Sequence, residues 1–208
     1  MDGITYSFFK AYWDIIKNDV WKAILLCFKY GKMSSSWKKT FVILIPKINN
    51  PLSPSNFRPI SLCMSIYKLV AKILLNRLMK VIHALISEEQ IAFIKGRAIS
   101  DHVLLAQEFF HKFRFSKSKR GMVAAKLDME QAYDSMAWDT LKQILELFGF
   151  PIKFSNLLMD CVTDLIFMIQ VNGVILERIV GKSGFRQGCP LSPYLFILCS
   201  QLLEKIWV

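Results

Sequence analysis

The sequence predicts an α+β fold, and three observations carry that prediction. Long stretches repeat apolar residues at helical spacing, as in Phe8, Phe9, Tyr12, Trp13, Ile15, Ile16 and Val20. Short runs rich in β-formers, such as T-F-V-I-L-I at 40–45, are bounded by Pro, Asn and Gly. The two kinds of element alternate without the regular strand–helix–strand beat of a parallel sheet.

The elements follow in order. Residues 5–30 read as a helix. Residues 40–45 form a strand stopped by Pro46, and a loop dense in Asn, Ser and Pro follows. Residues 65–83 are helical, with Ile66, Leu69, Val70, Ile73, Leu74 and Leu78 on one face. A further helix runs from about Asp101 to Phe113, and S-K-S-K-R-G at 116–121 makes a basic turn. M-V-A-A-K-L-D-M then reads as a strand ending at Asp128, with Tyr133 just inside the helix after it. Trp138, Leu141, Ile144, Leu145 and Phe148 continue at helical spacing until Gly149 and Pro151. After a helix at 153–164, I-Q-V-N-G-V-I-L-E carries the Asn-Gly dipeptide of a tight hairpin. The turn G-F-R-Q-G-C-P-L-S-P leads into a last, amphipathic helix.

With 208 residues, 53% of them hydrophobic, the chain has material for one large core. Its charge is uneven. Residues 1–125 hold 20 lysines and arginines against 7 acids, while residues 126–208 hold 7 against 9. Net charges of +13 and −2 fit a surface for a polyanion beside a carboxylate site, or lysines that keep an apolar protein soluble. The cysteines at 27, 63, 161, 189 and 199 show no C-x-x-C spacing, and His83, His102 and His111 complete no zinc pattern. An odd count without a framework fits free thiols in a reducing compartment. The first residues lack the charged and apolar regions of a signal peptide, and the last helix is interrupted by Ser200, Gln201, Glu204 and Lys205, so no membrane span is expected.

Three motifs could carry chemistry. In K-L-D-M-E-Q-A-Y-D a carboxylate at the end of a strand, Asp128, can face a cleft, and Mg²⁺ takes such hard oxygen ligands. The alternative is that Asp128 or Asp134 caps a helix and Tyr133 is core. Lys47 and Arg58 flank the loop between two stretches expected to pair, where they could grip a triphosphate or stand as ordinary surface cations. In G-F-R-Q-G-C-P-L-S-P two glycines and two prolines fix the backbone around Arg186 and Gln187, which presents an amide to a ligand or simply enters a helix.

The order of five blocks is more specific than any one of them. W-K-K-T-F-V-I-L-I-P-K, F-R-P-I-S-L-C-M-S-I-Y-K-L-V-A-K, I-S-E-E-Q-I-A-F-I-K-G-R-A-I-S-D, K-L-D-M-E-Q-A-Y-D-S-M-A-W-D-T-L and F-R-Q-G-C-P-L-S-P-Y-L-F stand in sequence. The series resembles the reverse transcriptase domain of LINE-type non-LTR retrotransposons, in the form common in plant genomes. The resemblance covers nearly the whole chain. It implies a right-hand polymerase fold, with residues 1–120 as fingers and 121–208 as part of a palm. It implies RNA-directed DNA synthesis: attack of a primer 3′-OH on the α-phosphate of a dNTP, directed by an RNA template and assisted by two Mg²⁺ ions.

By that resemblance Asp128 is the first metal-binding aspartate and Tyr133 the aromatic gate beneath the incoming sugar. Lys47 and Arg58 contact the triphosphate, and Arg186, Gln187 and Gly188 line the nucleotide and template side. The family also uses an adjacent Asp pair after the helix that follows the turn. No two aspartates are adjacent in these 208 residues, and the sequence closes within that helix. The expectation is therefore a fragment without polymerase activity by itself. A non-enzymatic nucleic-acid binder and a decayed transposon product are the alternatives.

Overall fold

A computed structural model of the chain describes residues 3–117, 123–126 and 128–207. The order of elements is α1 (Tyr6–Tyr30), β1 (Lys39–Pro46), a 3-10 turn (Pro54–Asn56), β2 (Phe57–Cys63), α2 (Ser65–Leu78), α3 (Ile82–Leu85) and α4 (Ile99–Phe115). Then come α5 (Trp138–Leu147), α6 (Ile152–Val162), β3 (Ile166–Val171), β4 (Val174–Val180) and α7 (Ser192–Trp207). The fold is mixed, helix-rich with short strands, as the periodicities imply.

Local chemistry sets the boundaries. Thr5 opens α1 by accepting from the Phe8 amide at 3.4 Å, and Gly31 closes it in the left-handed conformation, its N–H donating to the Cys27 carbonyl. In the β3–β4 hairpin Asn172 and Gly173 both take positive φ, as a primed turn needs. The sheet order is β2-β1-β3-β4. β1 is antiparallel to β2 and parallel to β3, and β3 is antiparallel to β4. The parallel step requires a long crossover, and α2 to α6 supply it. The sheet thus takes two strands from each side of residue 120.

The core lies where α2, α5, α6 and α7 meet. Tyr67, Leu74, Leu78, Leu141, Ile144, Leu145, Leu158, Leu195 and Leu198 are fully buried there. Each such side chain stabilises the fold by roughly 1.5–3 kcal/mol relative to exposure. By contrast α4 buries none of its residues. A buried ion pair ties the approach to β1 onto α6: Lys38 Nζ lies 2.5 Å from Asp160 Oδ1, and Asp160 Oδ2 accepts from the Met33 amide at 2.6 Å. All five cysteines are free and buried. Among the described residues no helix is long and apolar enough to cross a membrane.

Two expectations are corrected. Among the described residues no strand leads to Asp128: residues 123–126 and 128–129 are irregular and pair with none of the four strands, while residues 122 and 127 of the expected strand lie outside the described residues. A strand needs a neighbour's backbone ladder and a face to bury, and Val123 is 92% exposed. Tyr133 is not inside a helix either. Residues 130–134 form a turn, and α5 begins only at Trp138. Asp134 therefore caps nothing; the N-cap of α5 is Ala137, without a side-chain bond. Residues 118–121 of the expected basic turn lie outside the described residues.

Candidate functional site

The loop between β1 and β2 is built by one asparagine. Asn56 Oδ1 accepts from the amides of Leu52 and Ser53 and from the Ser53 hydroxyl. The loop then closes through the Lys47 amide, which donates to the Asn56 carbonyl at 2.7 Å. The register pairs Ile45 with Arg58. Lys47, two residues beyond Ile45, thereby falls on the same face as Arg58. Both cations are exposed, and Lys47 Nζ donates to the Ser55 carbonyl at 3.0 Å.

The turn after β4 is bound on two sides by backbone. The Gly184 amide donates to the Met136 carbonyl and the Phe185 amide to the Tyr133 carbonyl, at 2.8 and 2.7 Å. Trp138 Nε1 donates to the Gly184 carbonyl at 2.9 Å. On the other side the Ser61 amide of β2 donates to the Gln187 carbonyl at 2.7 Å. Two glycines permit this closeness. A Cβ on Gly184 would stand 2.8 Å from the Asp134 carbonyl oxygen, and one on Gly188 would stand 2.7 Å from that of Ser61.

The clamp encloses a polar cleft of about 500 Å³ lined in part by Lys47, Arg58, Glu130, Gln131, Asp134 and Gln187. A smaller apolar recess of about 230 Å³ adjoins it. The recess includes Val42, Phe167, Ile169 and Ile179, and shares Pro59, Asp134 and Gln187 with the cleft. Three of the residues expected at a ligand site, Lys47, Arg58 and Gln187, thus meet on one wall system although the sequence separates them by up to 140 positions.

The remaining four are placed differently. Asp128 is exposed and stands two residues upstream of Glu130, without lining the cleft. Tyr133 stacks on Phe196 of α7, with ring centroids 5.4 Å apart, instead of facing the cleft. Burial there pushes its hydroxyl pKa up. Arg186 is only 3% exposed and holds its guanidinium on Thr40 and the Cys161 carbonyl, so it meets the site only as part of the wall of the apolar recess beside the cleft. Gly188 serves the backbone contact with Ser61. The residues present do not fit a pair of Mg²⁺ ions, because no group of three or more potential ligands comes together among the described residues.

Asp134 is the site residue that sequence reasoning weighed only as a cap; its signal was the acid ending A-Y-D. Partial burial raises its carboxyl pKa, and the Lys47 ammonium opposes that rise. A carboxyl whose pKa is raised by folding favours the fold most below its unfolded value near 3.9, and that contribution is lost as pH rises through the folded value. Asp134→Asn is therefore expected to raise the melting temperature at pH 7, with the gain shrinking toward pH 4. A melting series over that pH range checks it; a loss of stability at pH 7 contradicts it.

A sequence profile of the family described as reverse transcriptase (RNA-dependent DNA polymerase) matches residues 45–207. The chain belongs to the reverse transcriptase family. It is 30% identical over 198 residues to the Transposon TX1 uncharacterized 149 kDa protein of Xenopus laevis, covering 95% of this chain and 15% of that one. It is 28% identical over 177 residues to the Pol polyprotein of a type-1 R2 retrotransposable element of Popillia japonica, covering 82% and 24%. The probable RNA-directed DNA polymerase from transposon BS of Drosophila melanogaster is 29% identical over 165 residues, covering 77% and 18%. This reverse transcriptase chain therefore spans less than a quarter of the length of each of these relatives. Among solved structures, apo telomerase from Candida tropicalis aligns over 87% of the chain with 16% identity and a TM-score of 0.47.

Proposed function

We propose that this chain is the part of a reverse transcriptase domain that holds an incoming deoxynucleoside triphosphate beside an RNA template and DNA primer, and that it completes no nucleotidyl transfer by itself. One observation carries the reading: Lys47 and Arg58 share a hairpin face and converge with Gln187 on one cleft, of a size that suits a nucleotide. A guanidinium fork and an ammonium match phosphate oxygens, and an amide can both donate to and accept from a base or sugar. The net charge of +13 over residues 1–125 supports template–primer binding by the same half. The roles of Asp128 as metal ligand and Tyr133 as sugar gate, the fingers and palm division near residue 120, and kinship with elements of plant genomes rest on the motif blocks.

The reading withholds catalysis because two-metal transfer needs several carboxylates around the reacting phosphate, and the chain contains no adjacent Asp pair. Equilibrium dialysis with labelled dATP tests the binding clause. Lys47→Ala with Arg58→Ala is expected to weaken binding at least about tenfold, since charge-assisted hydrogen bonds contribute roughly 1.5–3 kcal/mol each. Equal affinity for wild type and variant would remove the nucleotide from this cleft. Primer extension with Mg²⁺ tests the second clause. Template-dependent incorporation above that of Asp128→Ala would overturn it.

A further inference from the structure

The side chain next to Gln187 is a buried cation without a carboxylate partner among the described residues. The Arg186 guanidinium carbon sits 3.8 Å from the centre of the Tyr67 ring. Nη1 donates to Thr40 Oγ1 at 2.8 Å, and Nη2 donates to the Cys161 carbonyl at 3.0 Å. The Tyr67 hydroxyl donates to the same Cys161 carbonyl at 3.1 Å and lies 3.1 Å from Cys189 Sγ. Thr40 in turn donates to the Lys38 carbonyl at 3.2 Å.

One side chain thus joins the turn to β1, α2 and α6. The turn is anchored on Tyr67 at both Arg186 and Cys189, and Gln187 lies between the two anchors. An ammonium cannot replace this arrangement. Only the planar fork stacks on a ring while donating in two fixed directions. Burying a cation on neutral acceptors is also a costly way to gain stability alone, because an apolar side chain would fill the same space without that desolvation.

We propose that Arg186 is a positioning residue: its stack on Tyr67 and its two hydrogen bonds fix the turn so that Gln187 faces the cleft, and it touches no ligand itself. The proposal rests on the nucleotide reading of the cleft only for what Gln187 contacts. Its geometric half stands apart, because the Ser61 amide bonded to the Gln187 carbonyl reports whether the turn is seated.

Arg186→Lys and Thr40→Val test it by hydrogen exchange and by dATP dialysis. The expected result is exchange of the Ser61 amide at least about tenfold faster in Arg186→Lys, with core amides of α2 such as Leu74 unchanged, and a smaller effect in the same direction in Thr40→Val. The affinity for dATP falls as far in Arg186→Lys as in Gln187→Ala, and the double variant is no weaker than Gln187→Ala. Additive losses in the double variant would mean direct contact and overturn the proposal. So would a Ser61 amide that keeps its protection. If the wild-type chain binds no dATP, the nucleotide reading fails separately, and the Ser61 amide decides the positioning role. If Arg186→Lys does not fold, Thr40→Val carries the same comparison.

Discussion

Asp160→Ala is expected to destabilise the chain by about 3–5 kcal/mol, the usual cost of removing one partner of a buried ion pair. The reason is Lys38, which is only 3% exposed and pairs with Asp160 at 2.5 Å. Its other acidic neighbour, Asp164, is 4.0 Å away and largely in solvent. Without Asp160 the ammonium loses its short partner, and the Met33 amide loses its acceptor at the entry to β1. The double variant Asp160→Leu with Lys38→Met is expected to lose much less, because it leaves no charge unpaired. Denaturant melts of the three chains check this ranking. A double variant as unstable as Asp160→Ala would show that packing, not the unpaired charge, dominates.

Gly188→Ala is expected to cost about 2–4 kcal/mol and to weaken dATP binding as well. At φ 109° an L side chain is strained, by about 1–2 kcal/mol or more. The added Cβ would also press on the Ser61 carbonyl oxygen at 2.7 Å, which is backbone of a paired strand and cannot swing aside. Relief requires the turn to lift from β2. That breaks the bond from the Ser61 amide to the Gln187 carbonyl, worth roughly 0.5–1.5 kcal/mol, and carries the Gln187 amide away from the cleft. Chemical denaturation and dATP dialysis read the two effects. Wild-type stability together with wild-type affinity would contradict the clamp.

Much of the fold was legible because its signals are local. The Asn-Gly dipeptide fixed the β3–β4 hairpin, and Pro46 ended β1 where its sequence said it would. Of the α2 face read from Ile66, Leu69, Val70, Ile73, Leu74 and Leu78, Val70, Leu74 and Leu78 are buried and the other three half-buried, because the helix turns its Tyr67, Ala71 and Leu75 inward as well. The segment before Asp128 was misread for a physical reason: its alternation suits a strand, but a strand exists only with a partner, and partners are not written locally. The site was partly legible in the same way. Lys47 and Arg58 are ordered by one hairpin, so their meeting follows from short-range register. The resemblance puts Arg186 on the nucleotide side of the turn, while in the structure its guanidinium is held on neighbouring elements. Its partners Thr40, Tyr67 and Cys161 lie 146, 119 and 25 positions away, and no local pattern announces them. Asp134 reads in the sequence only as a cap for the same reason, since its setting depends on Lys47 across the cleft.

Photo-crosslinking with an azido-substituted deoxyadenosine triphosphate, followed by peptide mapping, tests the account most directly, because it locates the ligand instead of inferring it from affinity. The expected adducts fall on the peptides that contain Lys47 and Arg58, Glu130 to Asp134, and Gln187, and unlabelled dATP suppresses them. Competable adducts concentrated elsewhere, for example on the exposed face of α4 around Phe109 and Phe110, would contradict the assignment of this cleft.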